Sequence, residues 1–535
     1  MNTSNTGVLL RIIALARSGA LDRALRLFND EGLETVADDA AVLSVKGRLL
    51  KDQARRGLGD DRMRLWRAAG DAYGRAADIS GATYHLINAA TLSLLGGDAG
   101  LAGDRARRVL ETLDSGQDIA ETPYYLAATR AEALLLLSRR DEAEAALRQA
   151  VRLAPSAWED HATTRRQFRL ILSVTGEDDG WVELLRPPSS LHFAGPMIQV
   201  ETPQLREAID RLLQDSRTGF AFGALAGGAD IIVAEAVLDH GAELEVVLPF
   251  PPGRFRATSV EPLGRDWPVR FDRILSRSTL RPLQESAPHA TGLAQVKIAA
   301  EVAMGRAAMN ARALSDEAMQ LILADEADGV TQGSVTQWIE TRWRRSMRPQ
   351  HIIGGKSTSD VTIAARADIA HDGLFPAAVL VCAFDEAVLE TGHTTSDALD
   401  LLERLDRSSR DLPLLMPPAQ VGRTIQAVFA EPGDAAEAAH RIVAICGDRC
   451  RIAGHYAVAD WKPGLFGARA LAGSTTIWPE RLLTLTPAGA IYVSETFAMA
   501  LQSISPDGTN HAVCLGDAAG APHSLEVYAL DPEAR

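Results

Sequence analysis

GFAFGALAGGADIIVAEAVLDHGAELEVVLPF, running from Gly219 to Phe250, decides how the middle of this chain folds. Residues 220–225 form a short apolar run that reads as a buried strand, and Ala226-Gly227-Gly228-Ala229 makes a loop of small residues. Asp230 stands where a helix cap is expected, and Ile231, Ala234, Val237 and Leu238 recur at helical spacing behind it. Gly241 suits a left-handed C-terminal cap, and residues 244–250 supply a second strand. Strand, glycine loop, helix and strand make a βαβ unit whose loop is expected to turn free backbone N–H groups toward an anion above the sheet. A nucleotide phosphate is the expected occupant. The glycine pair lacks the full G-x-G-x-x-G spacing, so a dinucleotide fingerprint is not indicated.

Outward from that unit, the same alternation continues. Arg186-Pro187-Pro188-Ser189-Ser190 is a turn-rich linker, and residues 191–195 form a strand ending at Gly195. Helices are expected at 205–213, 292–308, 315–322 and 334–343, with a longer excursion at 255–275 and a turn at 325–333. Strands alternating with helices predict a parallel, doubly wound sheet with ligands at the strand C-termini.

Upstream, residues 9–172 are rich in Ala, Leu and Arg and carry almost no strand signal. Helical periodicity marks 9–16, 21–28, 40–53, 61–76, 82–95, 102–113, 123–137 and 141–153, joined by short Gly-, Asp- or Ser-bearing connections. The small residues Ala127, Ala128, Ala131, Ala133, Ala143 and Ala150 have the spacing of a tetratricopeptide hairpin, in which two helices must approach closely. No catalytic constellation stands out in this third.

Downstream, strands are expected at 377–384, 424–429, 451–457, 490–494 and 524–530, with helices at 397–405, 433–446 and 494–501. This order suits an α+β, ferredoxin-like sheet. The fold class is therefore multidomain: an all-α tetratricopeptide-like solenoid over 1–185, a Rossmann-like α/β sheet over 189–354, and an α+β domain over 376–535.

Composition narrows the function classes. The chain has 535 residues, 46% hydrophobic and 23% charged, with a formal charge of −15, which disfavours a broad nucleic-acid or anionic-membrane surface. No apolar stretch approaches the length of a membrane span, and no signal peptide is evident. Cys382, Cys446, Cys450 and Cys514 lack paired metal-ligand spacing and read as reduced core thiols. Together these features predict a cytoplasmic protein with no metal and no membrane contact.

Three resemblances add to this. Residues 84–92 (YHLINAATL) and 124–133 (YYLAATRAEA) resemble the TRAF-binding tetratricopeptide region of apoptosis-signal-regulating kinases and its bacterial relatives. That resemblance implies a protein partner or self-association through the repeats, and a homo-oligomer. FAGPM at 193–197, GFA at 219–221, GGAD at 227–230 and VVLPF at 246–250 resemble a SLOG domain, a superfamily that includes the cytokinin-activating LOG enzymes. It implies a nucleotide or nucleotide-derived ligand held by Gly195, Gly227, Gly228, Asp230, Gly333 and Ser334. The hydrolytic branch carries P-G-G-x-G-T-x-x-E; aligned on Gly333 and Thr336, Ile339 stands in the glutamate place and Glu340 is one residue off. An apolar residue there cannot handle a proton, so binding without hydrolysis is expected. Tight helix-on-sheet packing remains the alternative reading of these glycines, and a helix cap that of Asp230.

The third resemblance lies in the last domain. AVF at 427–429, IAGHY at 452–456 and PAGAIYVSE at 487–495 resemble a class III nucleotidyl cyclase domain. In that alignment Ala383 and Arg423 fill the two metal-aspartate positions, Ile477 fills the transition-state asparagine position, and Arg481 retains the arginine. A register shift onto Asp385 would restore one carboxylate but not both. The resemblance therefore implies a degenerate cyclase domain kept for dimerisation or for binding without turnover, with Arg423 and Arg481 as a second phosphate site. The expectation is a nucleotide-sensing regulatory scaffold, in a regulatory or defence-signalling setting suggested by resemblance. The alternatives are a nucleotide N-glycosidase or cyclase, and a ligand-free protein-interaction scaffold.

Overall fold

The computed structural model describes residues 3–17, 21–116, 121–197, 199–264, 266–283, 292–357, 374–384, 403–404, 406–407, 410–421, 424–463, 469–472, 474–506, 512–517 and 526–530. The chain divides into two compact units, Met1–Pro187 with Ala313–Ser315, and Pro188–Arg312 with Asp316–Arg535.

The first unit is helical: α1 Thr3–Arg17, α2 Leu21–Asp30, α3 Ala40–Arg56, α4 Gly59–Ser80, α5 Thr83–Leu95, α6 Ala99–Ser115, α7 Pro123–Leu136, α8 Arg140–Leu153 and α9 Trp158–Thr175. Successive helices pack as hairpins, and α5 also touches α7 and α9, so the odd-numbered helices share one side. Start signals are local: Asp39 caps α3 by accepting from the N–H of Ala41 and Val42, and Thr122 caps α7 with Pro123 in its first turn. The periodicity of residues 158–175 went unassigned in the sequence. Polar residues make up well over half of the stretch, yet Phe168, Ile171 and Leu172 are fully buried against α7 and α8.

In the second unit, six parallel strands form the first sheet: β1 Ser189–Ala194, β2 Thr218–Gly223, β3 Glu243–Leu248, β4 Thr279–Pro282, β5 Ala318–Asp325 and β6 Gln350–Gly355. Their order is β4-β3-β2-β1-β5-β6. Helices α10 Pro203–Asp215, α11 Ala229–Asp239, α12 Pro252–Ser259, α13 Asp266–Leu275, α14 Leu293–Ala313 and α15 Val335–Arg344 connect them. One face packs Leu191, Phe193 and Val246 against α10, α11 and α13; the other packs Ala194, Phe222 and Ile322 against Met304, Ala307 and Trp343 of α14 and α15. Residues 318–322, expected to be helical, are the start of β5. A central parallel strand is buried on both faces, so its apolar run has no period to separate it from a buried helix.

The register of β1, β5 and β6 is marked by a polar ladder inside that sheet. His192 Nδ1 and Gln320 Nε2 lie 3.0 Å apart, and Gln350 Nε2 donates to Gln320 Oε1 at 2.6 Å. A one-residue slip of β5 would carry Gln320 to the opposite face and leave His192 and Gln350 without it.

A second, mixed sheet follows. Its strands are β7 Phe375–Phe384, β8 Leu414–Val421, β9 Thr424–Phe429, β10 Cys450–Pro463, β11 Arg469–Ala472, β12 Ile491–Ser494, β13 Ala512–Asp517 and β14 Glu526–Leu530. Seven run in the order β13-β14-β12-β10-β7-β9-β8, with β11 paired to β10. β10 and β12 are parallel and the other pairs antiparallel. β7 alternates cleanly: Ala378, Leu380 and Cys382 face α16 Pro432–Cys446 and α18 Glu495–Ile504, while Ala377, Val379 and Val381 face α17 Ser474–Leu485. The helix expected at 397–405 falls largely outside the described residues. β8, β11, β13 and α17 were not foreseen.

Helix α14 joins the two sheets. Met304, Ala307 and Ala311 pack toward the parallel sheet, while Ile298, Ala299, Val302 and Ala303 belong to the core of the mixed sheet. Its crossing with α18 is close: a Cβ at Gly305 would collide with the backbone of Met499. Two ion networks flank it. Glu301, fully buried, pairs with Arg342, which also holds Glu431 at 2.6 Å. Arg306 pairs with Glu245, and with Glu495 at 2.6 Å, while Arg281 holds Glu526 at 2.9 Å. The two sheets thus share one apolar core and two sets of ion pairs.

Candidate functional site

β1 is the point at which the parallel sheet reverses direction, since the chain builds outward to β4 on one side and then continues at β5 on the other. Such a switch opens a crevice at the strand C-termini, between the loops after β1 and β5. The loop after β1 carries Gly195, and the loop after β2 carries Gly227 and Gly228 ahead of α11.

These loops interlock. At Gly195 an added Cβ would sit 2.9 Å from the Leu323 Cβ and 3.3 Å from its carbonyl oxygen, and against Ala229. Gly228 has φ +86°, the left-handed region, and its Cβ position is filled by the Met197 backbone. The Leu263 side chain fills the corresponding position at Gly227. Close packing therefore requires glycine at 195 and 228, whereas at Gly227 only the movable end of the Leu263 side chain stands in the way.

The loop donors are largely engaged within the protein. The Gly227 N–H donates to the Ser259 carbonyl at 3.0 Å and the Ala229 N–H to the Pro196 carbonyl at 3.2 Å. Asp230 does not cap α11; Gly228 occupies the N-cap position, and Asp230 lies inside the first turn. Its buried carboxylate reaches backward, accepting from the Ala226 N–H at 3.1 Å and from the Gly195 N–H. The expectation of a freely donating loop is thus corrected for Ala226, Gly227 and Ala229: a carboxylate and two carbonyls of the chain take those protons. Burial pushes the Asp230 carboxyl up to about 7, against the two N–H groups that favour its ionised form. Near neutral pH it is poised between an anion and a neutral acid at the positive end of α11.

Gly333 and Ser334 have a local role. Gly333 has φ +74° and donates its N–H to Gln337 Oε1 at 2.6 Å, while Ser334 Oγ accepts from the Gln337 N–H at 3.1 Å. This reciprocal pair is a capping box that starts α15. Their described contacts reach none of Gly195, Gly227, Gly228 or Asp230. On the same helix, Ile339 lies in the apolar core, and the Glu340 carboxylate pairs with Arg344. The rim after β5 is acidic, with Asp325, Glu326 and Asp328, and Asp325 binds the N–H of Ala327 at 2.8 Å and Asp328 at 3.1 Å.

In the mixed sheet, Ala383 closes β7 and is half-buried. Asp385 and Arg423 lie outside the described residues. Ile477 is half exposed on α17, and the exposed Arg481 stacks its guanidinium 5.2 Å from the Trp478 ring centroid. Cys382, Cys446 and Cys450 are buried, as expected of core thiols, whereas Cys514 is exposed on β13, contrary to that expectation. Its strand is the sheet edge, where only one neighbour covers it. Among the described residues no group of His, Cys, Asp or Glu is arranged to hold a metal ion.

The first repeats match a known family. The Tetratricopeptide Repeats-Sensor family model fits residues 5–93. No curated protein matches the chain. Among solved structures, the adenylyl cyclase CyaB from P. aeruginosa is similar at 14% identity, over 29% of this chain and 94% of that one, with a TM-score of 0.25. The guanylate cyclase domain of RhGC from Catenaria anguillulae, in complex with GTP, is similar at 15% identity, over 29% and 95%, with a TM-score of 0.25. Among the described residues, no helix is long and apolar enough to cross a membrane.

The sequence missed a set of polar side chains on the odd-numbered helices of the first unit. Lys51 of α3 donates to Asn88 Oδ1 of α5 at 3.2 Å and lies 5.9 Å from the Tyr73 ring centroid. The Glu132 carboxylate of α7 accepts from Gln167 Nε2 of α9 at 3.1 Å and from the Thr91 hydroxyl. A signal was present: Arg48, Lys51, Asp52 and Arg55 recur at helical spacing on α3.

Proposed function

We propose that this chain is a ligand-responsive regulatory scaffold. Its parallel sheet receives a nucleotide-derived ligand at the crevice between β1 and β5, without turning it over. The helical repeats engage a protein partner or a second copy of the chain. The observation that carries this reading is the switch point itself, with the N-terminus of α11 at the strand ends. The repeat-sensor family match at residues 5–93 supports a signalling setting. The SLOG and degenerate-cyclase assignments, and the division into domains at 1–185, 189–354 and 376–535, belong to the same proposal and rest on sequence resemblance.

Two residues support binding without turnover. Ile339 carries no proton and Glu340 is held by Arg344, so neither assists a glycosidic cleavage. For signalling, the ligand must favour one state of the protein over another. α14 supplies a physical route, because a shift of the helix layer under the parallel sheet is a shift in the core of the mixed sheet.

A specific observation favours a second reading, a scaffold that takes no ligand at this crevice: Asp230 and the carbonyls of Pro196 and Ser259 already hold four loop N–H groups, those of Gly195, Ala226, Gly227 and Ala229. One experiment separates the two. The full chain is screened by thermal shift against ATP, GTP, NAD and ADP-ribose. Saturable stabilisation that depends on the base and ribose supports the sensor. No stabilisation by any of the four favours the scaffold, and release of free base or cyclic product makes the chain an enzyme.

A further inference from the structure

The inner side of the helical unit carries positive charge that the protein does not neutralise. Arg48 and Arg55 both turn to one carboxylate, Asp52, at 3.9 and 3.4 Å. Lys51, half-buried between them, is bound among the described residues to the neutral Asn88 and to the face of Tyr73. Asn88 in turn donates its amide to the Tyr84 carbonyl at 2.8 Å. Leu170 of α9 packs against the cluster containing Ala54 and Tyr73, which brings Arg166, one turn earlier, beside Arg55. Arg166 has neither an ion pair nor a hydrogen bond among the described residues. The nearby Glu132 carboxylate is half-buried and occupied by Thr91 and Gln167.

Four cations, Arg48, Lys51, Arg55 and Arg166, therefore face two carboxylates, in a chain whose overall formal charge is −15. Surface lysines and arginines usually extend into water and need no partner. Here the surroundings differ. Burial and the neighbouring arginines hold the Lys51 ammonium down to about 8, against the pull of Asp52 and Glu132. The group of side chains is compact and spans α3 and α9, with an excess of two positive charges. A single dianionic group matches it better than singly charged carboxylates spaced along a peptide, and guanidinium forks suit phosphate oxygens.

We propose that Lys51, Arg55 and Arg166 form a binding site for the phosphate group of a small molecule on the helical unit. It is separate from the crevice of the parallel sheet, and it stands whether or not that crevice binds a nucleotide.

The test is calorimetric titration of the full chain with inorganic pyrophosphate at low salt. Saturable one-site binding is expected, weakened about tenfold in Lys51→Met and in Arg166→Ala and unchanged in Arg152→Ala on the exposed end of α8. Higher salt weakens it further. Arg166 is exposed, so its variant decides the matter if Lys51→Met does not fold. Absence of saturable binding, or undiminished binding in Arg166→Ala, overturns the proposal. Tighter binding of a glutamate-rich peptide than of pyrophosphate overturns the phosphate assignment.

Discussion

Arg306 and Lys51 are both cations held away from bulk water, and their surroundings differ in one respect. Arg306 sits between Glu245 and Glu495, with Arg281 and Glu526 completing a network whose charges nearly cancel. Lys51 has a neutral amide, an aromatic ring and two arginines for neighbours, with the nearest carboxylates shared or occupied. The first arrangement is what structure alone requires: each buried charge has a counter-charge. The second costs stability and returns none, which is the mark of a group kept for something outside the chain.

The comparison breaks most visibly at the neutralised side. Arg342→Ala strands the fully buried Glu301, whose carboxyl burial already holds at about 7 against the attraction of Arg342. A loss of about 3–5 kcal/mol is expected, read as a fall in the urea midpoint. An unchanged midpoint would mean that the pair is dispensable and the contrast with Lys51 is false.

Asp230→Asn acts in the opposite direction. The folded carboxyl lies at about 7, above the 3.8 usual for an aspartate, so protonation favours the folded state. That stability is complete below about pH 4 and is lost as pH rises through 7. Asparagine keeps an acceptor without the charge. The variant is expected to gain about 1–3 kcal/mol at pH 8 and nothing at pH 4, by denaturant melts at both values. A gain of equal size at pH 4 would contradict the assigned cause.

Lys51→Met sharpens the contrast from the un-neutralised side. The folded ammonium is held at about 8 instead of 10.5, so its charged form is a burden below pH 8 that fades as pH rises toward 10.5. Removing it is expected to add about 1–2 kcal/mol at pH 7, with the gain shrinking above pH 9, while pyrophosphate affinity falls. Destabilisation at pH 7 would assign Lys51 a structural role.

The smallest effect concerns thiols. Ellman's reagent is expected to modify Cys514 quickly in the folded chain and the buried Cys382, Cys446 and Cys450 only after denaturant, with no change in stability on the first reaction. Cys450 is pushed up to about 12 by hydrogen bonding to Cys382 and by burial, which keeps it a thiol. Four rapid equivalents would mean that the mixed-sheet core opens readily.

Local chemistry explains which elements were readable. The βαβ unit around Gly227 announced itself through two apolar runs and a small-residue loop, and the helical hairpins through period and caps. β5 was hidden because its buried run, Leu321 to Ala324, lacks alternation. β6 was missed because an edge strand with exposed His351 and Ile352 has no apolar face to display. At the candidate site, the sequence located the glycines but not the direction of Asp230, which depends on a loop more than thirty residues earlier. The Lys51 group was harder still, since three of its helices meet only in the folded unit.

Gly305 and the Ala-rich surface of α14 have a consequence for how this protein is dissected. A fragment ending at Gly355 would expose Ile298, Ala299, Val302 and Ala303 to water; one beginning at Phe375 would lack the helix that closes its core. Either piece is expected to aggregate when expressed alone. The smallest piece expected to fold therefore holds both sheets with α14 between them.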